Sequence, residues 1–230
     1  MGRGKWGLTC ASRWGSTAHR DDASRSRLRA RVRGSGLSVN AIALTFDDGP
    51  DPEWTPHLLD VLAEQIPPAR ATFFPIAPRA AAHPRLMARI IKAGHAVGLH
   101  CDEHVRHSTR DPDWARADTR RALERLATVG VAPRLWRTPW GDEAPWTGAV
   151  AGDYGLRIVG WTADTQDWRG DTAQTMFEAV RARLRPGAIV LAHDGIGPGA
   201  RRADARETVG LVRLVARHAS ALGLRMTSLT

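Results

Sequence analysis

Between residues 41 and 229 the chain alternates short apolar runs with longer stretches of helical period, and few folds accommodate that alternation. The runs are Ala41–Phe46, Ala71–Phe74, Ala96–His100, Arg134–Arg137, Arg157–Thr162, Ala188–Leu191 and Leu224–Leu229. Strands separated by helices pair in parallel, because parallel neighbours need a long crossover where antiparallel ones need only a turn. Seven such strands predict an α/β fold, a distorted (β/α)7 barrel of the TIM type with helices outside. With 230 residues there is length for one such domain.

The intervening stretches carry their own start and stop signals. Thr55-Pro56 reads as an N-cap and first helical residue, with Leu58, Leu59, Leu62 and Ile66 on one face and Pro67-Pro68 as the end. Further helices are predicted from Pro84 to Gly94, from Trp114 to Val129 and around Trp146 to Tyr154. Asp171 and Gln174 have capping-box spacing ahead of a helix that buries Met176, Phe177, Val180 and Leu184. The last helix, Ala205 to Leu222, buries Leu211, Val212, Val215 and Ala219.

Ionisable residues gather where the strands end. The first strand runs into Asp47-Asp48-Gly49-Pro50, and the third ends at His100 with His104 four residues on. The fourth ends in Arg137-Thr138-Pro139-Trp140-Gly141, the fifth is followed by Asp164-Thr165-Gln166-Asp167-Trp168, and the sixth by His193. Each group taken singly is an ordinary polar turn, cap or surface ion pair. Together they put chemistry at the C-terminal ends of five strands, the face on which β/α barrels build active sites, and so favour a barrel over an open sheet. One Asp and two His with positions open to water form a mixed oxygen and nitrogen set suited to zinc or a similar divalent ion.

Charge is unevenly spread. Of the net +9, seven units sit in residues 1–38, where nine Lys and Arg face only Asp21 and Asp22. That Gly-, Ser- and Arg-rich segment has neither helical nor strand period and is expected to be disordered, with the catalytic domain spanning 39–230. It reads as a bland extension or an upstream start-codon error, as a salt-sensitive tether to nucleic acid, or as a transit peptide. No nucleic-acid-binding motif accompanies it, and the two Asp count against transit. With no apolar export segment the chain as written is cytoplasmic, and extracytoplasmic if the start is misplaced. No run approaches the roughly 20 apolar residues that span a bilayer. Cys10 and Cys101 suggest neither a disulfide framework nor a Cys-based zinc site.

In order, Thr45–Pro50 (TFDDGP), His100-x-x-x-His104, Arg137-x-Pro139-x-Gly141, Asp164-x-x-Asp167-Trp168 and Leu191-x-His193 resemble the five motifs of the polysaccharide deacetylase (NodB homology) family, carbohydrate esterase family 4. The resemblance implies a metal-dependent hydrolase acting on an N-acetylated glycan and a barrel of about seven strands. It implies Asp48, His100 and His104 as metal ligands, most readily for zinc, Asp47 as general base paired with Arg137, and His193 as general acid oriented by Asp167. Trp140 would offer a backbone N–H to the oxyanion, and Pro139, Trp168 and Leu191 would line the substrate pocket. Cys101, Asp102 and Glu103 depart from the family's pattern and put negative charge near the ligands. Two other readings accompany this one: a cyclic imide hydrolase on the same barrel, and an inactive carbohydrate-binding barrel. The molecule is expected to be monomeric.

Overall fold

A computed structural model describes residues 40–230. The basic segment predicted to be disordered, 1–38, lies outside the described residues, and with it every reading of that segment. Strand β1, Ala41–Asp47, is buried at all seven positions, as an apolar run covered on both faces must be. It pairs in parallel with β2, Ala71–Phe74, on one side and with β7, Ile189–His193, on the other. β3, Ala96–Val97, extends the sheet beyond β2, and β6, Ala163–Asp164, extends it beyond β7. β8, Arg225–Met226, pairs with the start of β1. β4, Leu135–Trp136, and β5, Arg157–Ile158, form a separate parallel pair, joined to the main sheet by a bridge between Leu99 and Trp136.

The strand expected over Arg157–Thr162 is cut short: β5 ends at Ile158 beside β4, and a separate strand, β6, starts beyond the expected range at Ala163 and pairs with β7. Arg137 explains the break. Its guanidinium takes the carbonyls of Val159 (3.3 Å) and Gly160 (2.9 Å), which a continuing ladder would otherwise use. Among the described residues every strand pairing is parallel, as the alternation predicted, and the barrel is distorted where the Arg137 side chain enters it.

Among the described residues seven helices pack outside: α1 Trp54–Ala63, α2 Ala77–Ala82, α3 Pro84–Lys92, α4 Pro112–Ala127, α5 Thr147–Asp153, α6 Ala173–Arg181 and α7 Arg206–Ala221. The core takes Leu58, Leu59 and Leu62 from α1, Met87 and Ile90 from α3, and Leu211, Val212, Val215 and Ala219 from α7. Ile66 is 99% exposed, because α1 ends three residues before it. Two caps differ from expectation. Asp51, whose carboxylate accepts the Glu53 and Trp54 N–H groups, starts α1 ahead of Thr55. Thr172, and not Asp171, caps α6 by accepting the Thr175 N–H. Short α2, which has no cap signal in the sequence, was not anticipated. Among the described residues no helix is long and apolar enough to cross a membrane.

Candidate active site

β1 delivers the two carboxylates, and a backbone reversal separates them. Alternation along a strand would send Asp47 and Asp48 to opposite faces, but Asp48 adopts φ +72°, the left-handed region that Asp tolerates better than most residues. Both then face one cleft. The chain beyond β7 makes room: a Cβ on Gly197 would lie 1.9 Å from Asp48 Oδ2, and one on Gly195 2.5 Å from the Asp48 carbonyl. Arg79 of α2 fastens the same corner, donating to Asp48 O (2.8 Å) and Ile196 O (2.9 Å).

Asp48 meets two histidines. His100 Nε2 and His104 Nε2 each lie 3.2 Å from the same oxygen, Asp48 Oδ1. The Arg137 carbonyl, 2.6 Å from His100 Nδ1, can only accept, so that nitrogen carries a proton, and in the neutral ring Nε2 is then left with its lone pair on the Asp48 side. Asp48 Oδ1 and His104 Nδ1 are nonetheless buried without a hydrogen-bond partner. Buried polar atoms are almost always satisfied, so an unpartnered carboxylate oxygen between two imidazoles fits a divalent cation. The ligand atoms lie within 4.8 Å of one another, close enough to converge on one ion.

Asp47 is held from the other side. Arg137, fully buried, donates to Asp47 Oδ1 at 2.9 Å and to Thr45 Oγ1 at 2.6 Å, with its planar cation over the Phe74 ring at 4.4 Å. Four hydrogen-bond acceptors and an aromatic face fix the guanidinium in one orientation, and with it the carboxylate.

His193, in register with Asp47 on the neighbouring strand, begins a second constellation. Its Nδ1 is 2.7 Å from Asp167 Oδ1 and its backbone N–H donates to Asp167 Oδ2 at 2.9 Å. Burial alone would lower the imidazole pKa; the Asp167 carboxylate outweighs it and pushes His193 up to about 9. Burial would likewise raise Asp167, but His193, Arg202 and Thr208 bring it down to about 2.

Arg202 was not singled out from the sequence. It donates to Asp167 Oδ2 (2.9 Å), His193 O (2.9 Å) and Gly195 O (3.0 Å), and it also bonds Thr208. It lies in a loop of Gly, Arg and Pro with no periodicity. The repeated glycines of Asp194-Gly195-Ile196-Gly197-Pro198-Gly199 were the only signal there that the backbone runs close to something.

A cavity of about 490 Å³ joins the two constellations, lined by Asp47, Asp48, His100, His104 and His193 together with Trp140, Trp168 and Leu191. Trp140, at φ +56°, stands 41% exposed at the rim, its ring edge-on to His104 with centroids 4.2 Å apart. Pro139 is buried and is not among the residues lining the cavity. Asp102 and Glu103 do not add free charge beside the ligands: Arg121 (3.0 Å) and Arg125 (2.8 Å) of α4 take Asp102, and Arg121 (2.8 Å) takes Glu103.

Residues 35–159 match the family model described as polysaccharide deacetylase. The chain is 39% identical over 170 residues to a chitooligosaccharide deacetylase of Sinorhizobium fredii, covering 71% of this chain and 76% of the relative. It is 36% identical over 159 residues to a peptidoglycan-N-acetylglucosamine deacetylase of Bacillus cereus, covering 68% and 56%. Among solved structures, a peptidoglycan N-acetylglucosamine deacetylase superposes with TM-score 0.76 at 31% identity, covering 84% of this chain and 88% of that one. A family 4 carbohydrate esterase from Streptomyces lividans, in complex with acetate, gives 0.72 at 29% identity, covering 81% and 91%.

Proposed function

Because the chain belongs to the polysaccharide deacetylase family, we propose that it hydrolyses the N-acetyl amide of a glycan of the chitooligosaccharide or peptidoglycan type and releases acetate. The observation that carries the reading is the meeting in one cavity of an arginine-held carboxylate, an aspartate-held imidazole and an unsatisfied Asp-His-His set.

In this reading Asp48, His100 and His104 hold a divalent cation, with zinc the best match to one oxygen and two nitrogen donors. When bound, it supplies Lewis acidity toward the acyl oxygen and lowers the pKa of water beside it. Asp47 takes the proton from the attacking water, and Arg137 holds that carboxylate in place and aimed. The Trp140 N–H donates to the oxygen on which charge develops. His193, protonated through neutral pH, gives its Nε2 proton to the departing sugar amine while Asp167 holds Nδ1. Trp168 and Leu191 wall a space for the acetyl methyl.

Acetate release from N-acetylglucosamine oligomers and peptidoglycan fragments, with and without chelator, tests the reading. Turnover that a chelator stops and divalent metal restores is expected. An Asp47→Asn protein should lose at least about two orders of magnitude in kcat, the scale of a general base. If that variant kept full activity, the assignment of the base would fall.

A further inference from the structure

Trp140, from the turn after β4, and Trp168, from the turn after β6, wall the cavity, and each carries an arginine on its ring. The Arg106 guanidinium lies 4.6 Å from the Trp140 centroid and that of Arg201 5.8 Å from the Trp168 centroid. Both arginines are exposed, and among the described residues neither has a carboxylate within ion-pair distance. The other arginines around the site are spoken for: Arg137 by Asp47, Arg202 by Asp167, Arg121 and Arg125 by Asp102. A guanidinium stacked on an aromatic face gives up hydration on that face but keeps its in-plane donors, which suits it to receive a planar oxyanion. Arg106 itself lines the cavity, and the Arg201 backbone is pinned through its N–H to Trp168 O at 2.7 Å. Asp164, the cavity carboxylate outside the catalytic set, turns Oδ1 back to accept the Gln166 N–H at 2.9 Å.

Two cations seated on the substrate-binding tryptophans have no role in hydrolysing an amide. We propose that the glycan bears carboxylates on sugars next to the N-acetyl residue that is hydrolysed, and that Arg106 and Arg201 receive them. The substrate class is thus an anionic N-acetylated glycan, with a lactyl ether or a uronic acid as the carboxylate source, in preference to a neutral oligomer. This rests on the deacetylase reading above and narrows it.

The experiment measures kcat/KM for acetate release by the metal-loaded full chain on three oligomers of matched length. One is neutral N-acetylglucosamine, one alternates it with a lactyl-bearing sugar, and one alternates it with a uronic acid. At least one anionic oligomer should be favoured about tenfold at low ionic strength, and the preference should shrink as salt is added. The better of the two names the carboxylate source. Arg106→Gln and Arg201→Gln should each reduce the preference about threefold, roughly 0.6 kcal/mol per exposed contact, while Arg106→Lys retains part of it. Equal or better turnover of the neutral oligomer, unaffected by salt or by either glutamine variant, overturns the proposal and leaves the deacetylase reading standing. Absence of acetate from all three overturns the deacetylase reading and the proposal with it.

Discussion

On one wall of the cavity Asp167 accepts from four donors: the His193 ring, the His193 backbone, Arg202 and Thr208. On the other, Asp48 Oδ1 and His104 Nδ1 are buried without a hydrogen-bond partner. Both walls hold an acid beside imidazole, yet one is complete in the protein alone and the other is not. The acid wall is pre-paired and should keep its shape in the absence of any ligand. The Asp48-His100-His104 wall leaves polar atoms unsatisfied in the protein alone, so a cation bound there as proposed should stabilise the fold.

The sharpest way to break this comparison is to remove a ligand. His104→Ala should abolish bound metal, measured by elemental analysis, and lower kcat by about three orders of magnitude or more, some 4 kcal/mol of barrier. The fold should persist, because His104 lies in a loop outside the helices and strands and its Nδ1 holds no other group. A His104→Ala protein that turned over normally without metal would show that the unsatisfied atoms are not a metal site.

Next in size is Arg137→Ala. It would leave Asp47 buried without its partner and free the Val159 and Gly160 carbonyls, so a loss of about 3–5 kcal/mol in unfolding free energy is expected by denaturant titration. Asp167→Asn strikes the acid wall alone. It should leave metal content unchanged and reduce kcat about a hundredfold. It should also move the alkaline limb of the pH–rate profile. With Asp167 present His193 titrates at about 9, so activity needing its proton is held below that pH and declines above it. Without the carboxylate that limb should shift toward the ordinary histidine value near 6.5. An unmoved limb would assign it to another group.

The same contrast bears on how much could be read from sequence. The acids, imidazoles and Arg137 were legible because their chemistry is of a few residue types placed at strand ends, and strand ends are visible as breaks in apolar runs. Arg202 and Arg79 were not. They act through backbone carbonyls of a loop without periodicity, and nothing in a sequence marks which carbonyl a guanidinium will find. The end of the expected Arg157–Thr162 strand at Ile158, with β6 starting only at Ala163, was hidden for a related reason: its cause is the side chain of Arg137, some 20 residues earlier. Pro139, a motif position expected to line the substrate pocket, is buried and lies outside the cavity lining. The stretch from His95 to His107 shows most plainly what spacing can and cannot do. It holds four histidines; spacing on one side of a turn picked out His100 and His104, while His95 and His107 turn into the core.

Those two core histidines supply the smallest expected effect and a control for the rest. His95 Nδ1 accepts the Ala71 N–H at 3.1 Å, and the His107 ring stacks on Trp146 with centroids 5.5 Å apart. Burial pushes both down to about 4, the opposite direction from His193. A depressed histidine is neutral in the fold but binds a proton in the unfolded chain below about 6.5, so its stabilising contribution is present above that pH and is lost as pH falls toward 4. For His193 and Asp167 the window differs. The His193 contribution is present below about 6.5 and lost as pH rises through 9, and that of Asp167 is lost only as pH falls through 2. Between pH 7 and 5.5, therefore, each core histidine should cost about 1 kcal/mol of unfolding free energy, while His193 should give back somewhat less than that, opposite in sign. His107→Phe keeps a ring against Trp146 and removes its titration, so it should take away about half of the acid sensitivity contributed by the two, read as Tm against pH. If Asp167→Asn flattened that same slope instead, the division between a pre-paired catalytic wall and a pH-sensitive core would have to be redrawn.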